Sequence, residues 1–137
     1  MIDGDYEQSR CAIGTGEGQM LPHPQWCTSS DPLVLKDLYE RMLPSIRMAA
    51  QELGYAIGVH GSMTRDLDLV AAPWVEKVGS PDELAHAVQR AACGSSGAWK
   101  EPEIKPHGRI GYSLHVGTHA YIDLSVLPSN KEVKRAP

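Results

Sequence analysis

In residues 66–71, "DLDLVA", charged and apolar side chains alternate one by one. A period of two is the pattern of a strand with one face in a core and the other outside it. Leu67 and Leu69 therefore share one face, and Asp66 and Asp68 share the other. A helix would turn positions two apart in this run onto nearly opposite sides, so the alternation predicts a half-buried strand here. It also raises a chemical question. Two carboxylates about 7 Å apart along a strand repel each other unless a cation lies between them, and an unpaired acid withdrawn from water is costly.

The flanking sequence extends this strand into a fold. Asp31-Pro32 is an N-cap and first-turn pair. Leu35, Leu38, Tyr39, Met42, Ile46, Ala49, Ala50 and Leu53 then recur at helical spacing up to Gly54. Pro44 lies inside that run and predicts one bent helix or two short ones meeting near Leu43. "YAIGVH" (55–60) is a first strand, and Pro73 and Trp74 close the second, with Trp74 expected as a core or edge anchor. Ser80-Pro81-Asp82-Glu83 is a capping box that opens a helix running to Gly94. Residues 94–107 read as a loop.

Residues 109–116, "RIGYSLHV", and 119–127, "HAYIDLSVL", alternate around a Gly-Thr turn, which predicts a hairpin. A two-residue loop would place the two apolar rows on opposite faces. A loop of odd length keeps Ile110, Tyr112, Leu114, Ala120, Ile122 and Leu124 together, and the pairing expected is Tyr112 with Ile122 and Leu114 with Ala120. Ser113, His115, His119, Tyr121, Asp123 and Ser125 then share the polar face, with Asp123 in its middle. The fold class expected is α+β: a mixed sheet with helices packed on one face.

At 137 residues, one domain is expected. It should occupy 31–128, between an irregular, Gly- and Pro-rich arm (1–30) and a polar tail (129–137). The arm's "GTGEG" follows no strand and reads as linker. The net charge of −4 argues against strong, non-specific binding of nucleic acid. No segment is long and apolar enough for a membrane span, and the acidic, polar N-terminus does not resemble a signal peptide. Cys11, Cys27 and Cys93 have no motif spacing and fit free thiols in a reducing cytoplasm.

A hard divalent ion with oxygen ligands is the cation that suits Asp66 and Asp68, and Asp123 offers a third carboxylate from another strand. The Gly61-Ser62 turn just before the pair can bring backbone N–H groups and a hydroxyl to phosphate oxygens. These parts suit phosphoryl or nucleotidyl transfer. The competing assignment is a set of surface acids, or acids paired with Arg65 or Arg109. Arg65 divides between a phosphate role and plain surface, and it should point away from Asp66 if strand geometry already holds there. His60, His107, His115 and His119 suggest a transition-metal site less well than they suggest solvated strand histidines. The Ser, His and Asp residues form no nucleophile elbow.

"HGSMTRDLDLVAAPW" followed by "YIDLSVL" resembles the core signature of the DNA polymerase beta-like nucleotidyltransferase superfamily. The run "RDLDLVAAPW" is similar to small stand-alone proteins of this fold from bacteriophage and prophage genomes. The resemblance covers about residues 32–127. It implies a mixed sheet flanked by helices and two Mg²⁺ (or Mn²⁺) ions held by Asp66, Asp68 and Asp123. It further implies transfer of a nucleoside monophosphate from an NTP to a hydroxyl on a protein, an RNA or a small molecule. Gly61 and Ser62 match the phosphate-binding turn, and Arg65 adjoins it. Only Met63, Thr64 and Arg65 separate Ser62 from Asp66, fewer than most active members carry. A second reading is therefore a weak or inactive member that binds a nucleotide or a partner.

Overall fold

A computed structural model describes residues 28–97 and 99–129. The expectations for residues 1–27, among them the "GTGEG" linker, Cys11 and Cys27, and for the tail beyond Ser129 lie outside the described residues.

The first helix, α1 (Pro32–Glu52), begins where Asp31 caps it: the Leu33 N–H donates to Asp31 Oδ1 at 2.8 Å. It runs as a single helix through Pro44, which is exposed. A proline on the outer side forfeits one backbone hydrogen bond without breaking core contacts, so of the two expectations the undivided helix is the one observed. Leu35, Leu38, Tyr39, Met42, Ile46 and Ala50 form the buried stripe. Strands β1 (Tyr55–His60) and β2 (Asp66–Pro73) follow as an antiparallel pair. Helix α2 (Pro81–Cys93) carries the expected capping box, with Ser80 and Glu83 each accepting from the other's backbone N–H, and Gly94 closes it.

The segment after α2 contains one element that the sequence did not signal. Glu103–Ile104 form a two-residue strand, β3, at the sheet edge, followed by a tight turn through Pro106–Gly108. With prolines at 102 and 106, the segment is too short to show an alternation. Strands β4 (Ile110–His115) and β5 (Tyr121–Val126) are the hairpin. The odd loop is correct, but the register lies two residues from the expected one: Tyr112 faces Leu124 and Leu114 faces Ile122. The cause is Val116 and Ala120. Both are buried, and the Val116 N–H donates to Ala120 O at 2.9 Å, so pairing continues to a three-residue tip. A shift by two leaves every side chain on its expected face.

Among the described residues, five strands lie in the order β1-β2-β5-β4-β3, and β2 and β5 are parallel neighbours. Parallel strands need a long crossover, and α2, β3 and β4 lie within it. The apolar sides of the strands and both helices share one core, which includes Leu67, Leu69, Leu114, Ile122 and Leu124 from the sheet. The chain is thus an α+β protein with its helices on one face. The opposite face carries Asp66, Asp68, Ser113, Asp123 and Ser125, none of which is buried.

Trp74 departs from its expected role as an anchor. Its backbone N–H donates to Gly54 O at 2.8 Å, but its side chain is 76% exposed. Among the described residues, no helix is long and apolar enough to cross a membrane.

Candidate metal centre

The parallel β2–β5 pair assembles the site. Asp68 sits opposite Asp123 in the register, and Asp66 sits opposite Tyr121. On the outer strands, His60 faces Asp68 and Ser113 faces Asp123. One row across the open face therefore reads His60, Asp68, Asp123, Ser113. Asp66, Asp68 and Asp123 each offer a carboxylate oxygen within 4.8 Å of the others. An octahedral ion with bonds of about 2.1 Å sets neighbouring ligand oxygens about 3 Å apart and opposite ones about 4 Å apart. Three all-oxygen, anionic donors at this spacing can close on a hard divalent cation by small side-chain movements.

Electrostatics point the same way. Partial burial, then the Asp123 charge, pushes the Asp66 carboxyl above its ordinary value of 3.8, with Arg65 opposing. Burial, then the Asp68 charge, does the same to Asp123, while Ser113 and Lys105 pull it down. No ion pair among the described residues ties down any of the three acids. Arg109 is engaged elsewhere: its Nε donates to Pro106 O at 3.0 Å and its guanidinium donates to Ser125 Oγ at 2.9 Å. The surface ion pairs weighed from the sequence are therefore not made.

These shifts fix the sign of a pH effect. A carboxyl whose native pKa is raised keeps its proton where the unfolded chain has lost it, so its contribution to stability is present at low pH and declines as pH rises through the native value. The metal-free protein should lose thermal stability as pH rises from 3.8 through the raised native values of Asp66 and Asp123. Added Mn²⁺ should reverse that loss, with a gain in melting temperature that grows with pH. Thermal melts from acid to neutral pH, with and without Mn²⁺, check it. A gain from Mn²⁺ equal at both ends of the range would contradict the site.

The approach to the acids is a tight turn. Gly61 has φ +87°, and a Cβ there would come within 3.2 Å of Asp68 Oδ2. A residue with a side chain would be strained and would crowd the carboxylate. Met63 is also left-handed at φ 61°, an uncommon state for a non-glycine residue. Ser62 Oγ lies 2.8 Å from Thr64 Oγ1, and both residues face solvent at least in part. Arg65 precedes the first residue of β2, so strand alternation does not govern it, and its charge acts on Asp66. The turn thus brings Gly61 against Asp68 and Arg65 into the field of Asp66, while Ser62 is engaged with Thr64.

Among the described residues, no histidine joins the three acids in the group that could hold an ion. His115 stacks on Tyr121 with ring centroids 4.3 Å apart, and His60 lines the cleft. That cleft, about 450 Å³, is lined by His60, Asp68, Ser113 and Asp123 together with Glu101, Glu103, Lys105 and Arg109.

Two contributions escaped the sequence. Ser113 Oγ donates to Asp123 Oδ1 across a long 3.4 Å, and its place on the polar face was the only signal. Tyr39 is fully buried in α1, yet its hydroxyl donates to Arg65 O at 2.6 Å and accepts from the Tyr121 N–H at 3.1 Å. It pins the start of β2 to the start of β5, where Asp66 and Tyr121 face each other. In the sequence it is one more apolar-stripe residue. No family model, curated protein or solved structure matches the chain.

Proposed function

We propose that this chain is a divalent-metal-dependent nucleotidyltransferase that moves a nucleoside monophosphate from an NTP to a hydroxyl acceptor. The observation that carries the reading is the convergence of Asp66, Asp68 and Asp123 across a parallel strand pair, beside a Gly-Ser turn. Mg²⁺ or Mn²⁺ fits the three carboxylates; when bound, such an ion lowers the pKa of a nearby hydroxyl and offsets charge on the leaving oxygens. Gly61 would let a phosphate approach the backbone next to Asp68, and the exposed Ser62 beside it in the chain carries a hydroxyl. Arg65 adds positive charge close to Asp66.

In the reaction, the acceptor oxygen attacks the α-phosphorus, the bond from that phosphorus to the β-phosphate oxygen breaks, and pyrophosphate leaves. The hydroxyl proton goes to a carboxylate of the site, and Asp123, as a ligand of the ion beside the acceptor, would help activate that hydroxyl. The rest is positioning of two substrates on a rigid sheet.

The turn favours a second reading. Ser62 Oγ is already engaged with Thr64 and only three residues lead to Asp66, which suits a module that binds a nucleotide without transferring it. Incubation with α-labelled NTPs, Mg²⁺ or Mn²⁺, and protein, RNA or polyol acceptors separates the two. Labelled acceptor with pyrophosphate release supports transfer. Calorimetric NTP binding without labelling supports the module, and no metal-dependent NTP binding overturns both.

A further inference from the structure

Among the residues that line the cleft, Lys105 has a placement that the acidic triad does not explain. Lys105 follows β3 in the chain, and its stem lies across Gly111 of β4: a Cβ on Gly111 would meet Lys105 Cε at 2.6 Å and Cγ at 3.3 Å. A side chain at this position would push the lysine stem aside from its path across the open face. The backbone holds it there as well, since the Lys105 N–H donates to Arg109 O at 2.7 Å.

The visible partner of Lys105 does not account for this arrangement. Its ammonium lies 3.1 Å from Glu103 Oε1, but the Glu103 side chain is 73% exposed. Ion pairs so open to water contribute little, and an ammonium with one partner keeps two further N–H donors. Gly111 is two residues along β4 from Ser113, which faces Asp123 in the register. That separation is about 7 Å, a length that a short phosphate chain bridges. Arg109 lines the same cleft, held by Pro106 O and Ser125 Oγ.

Resting on the nucleotidyltransferase reading, we infer that Lys105, laid over Gly111, is a substrate-binding residue that takes the outer phosphates of a substrate whose inner phosphates are held at Asp66, Asp68 and Asp123. Arg109 supports it from the same cleft. With a cation bound at the three acids, an anion in the cleft would meet positive charge at both ends, where the bare acidic face would repel it.

The inference predicts effects of opposite sign on two ligands. Removing the Lys105 charge relieves repulsion of a cation at Asp123, so Lys105→Ala should bind Mn²⁺ alone about twofold more tightly. The same variant should bind inorganic pyrophosphate, in saturating Mn²⁺, about tenfold or more weakly, because a charge-assisted hydrogen bond is lost. Gly111→Ala, which displaces the stem, should weaken pyrophosphate similarly, and Lys105→Arg should keep most of the affinity. Calorimetry on the full chain reads all four values, and should Gly111→Ala fail to fold, the Lys105 pair decides alone. Mn²⁺ binding to the unsubstituted protein together with unchanged pyrophosphate affinity in Lys105→Ala overturns this inference and leaves the metal site standing. Failure of the unsubstituted protein to bind Mn²⁺ overturns both.

Discussion

In the Asp68→Asn variant, divalent-ion binding is expected to fall by at least about a hundredfold and metal-dependent NTP turnover to disappear. Groups that merely orient a metal ligand are worth about ten- to a hundredfold in affinity, so loss of a charged ligand should cost no less. Asp68 is the sharpest position for the test. It faces Asp123 across the parallel pair, adjoins Gly61 and lines the cleft. Asparagine preserves its volume and removes its charge, so the strand and the core behind it, Leu67 and Leu69, stay intact. The melting temperature without metal should not fall, because the substitution relieves repulsion at Asp123. Mn²⁺ titration by calorimetry, melts and a labelled-NTP assay on the same preparation separate these effects. Turnover equal to that of the unsubstituted chain would remove Asp68 from the site.

The second large effect is expected at Tyr39. Tyr39→Phe keeps the ring in the core and deletes one hydroxyl. The Arg65 carbonyl and the Tyr121 N–H then lose a partner in a partly buried position. The expected loss is about 2 kcal/mol, since an orphaned polar group forfeits its desolvation as well as its bond. That is a substantial share of a total of about 5–15 kcal/mol for a domain. Because the hydroxyl ties down the strand starts at Asp66 and Tyr121, Mn²⁺ affinity should also fall, by about tenfold. Denaturant unfolding measures the first quantity and metal titration of the folded protein the second. Reduced stability with unaltered Mn²⁺ affinity would make Tyr39 a packing residue and no more.

The contrast between Tyr39 and Asp68 shows what the sequence can reveal. Alternation carries parity, so the faces of β2, β4 and β5 were legible, and with them the grouping of Asp66, Asp68 and Asp123. Caps have local chemistry, so the start of α2 at Ser80 and its end at Gly94 were legible too. Parity does not carry register. The shift from Tyr112–Ile122 to Tyr112–Leu124 depends on how far Val116 and Ala120 continue the ladder, a matter of burial at the tip. Nor does it reveal neighbours: nothing in residues 66–71 says that β5 lies beside them and runs parallel. Lys105 and Gly111 meet only because β3 pairs with β4, and a two-residue strand shows no period. Tyr39 stayed hidden because a buried phenol and a buried phenyl ring give the same helical periodicity.

The parallel junction also bears on how the protein folds and unfolds. Asp68 and Asp123 meet only after α2, β3 and β4 have been threaded between them. Contacts this distant in sequence are costly to form early, because the long loop must close before it is rewarded. A cation that needs all three carboxylates has no partial site to occupy in the open chain, so it binds the native state alone. Its stabilisation should therefore appear chiefly as a slower unfolding rate, with the folding rate almost unchanged. Saturation with metal would thus lengthen the lifetime of the folded chain against proteases and heat. The three carboxylates that could hold the ion would then act as a kinetic latch on the sheet.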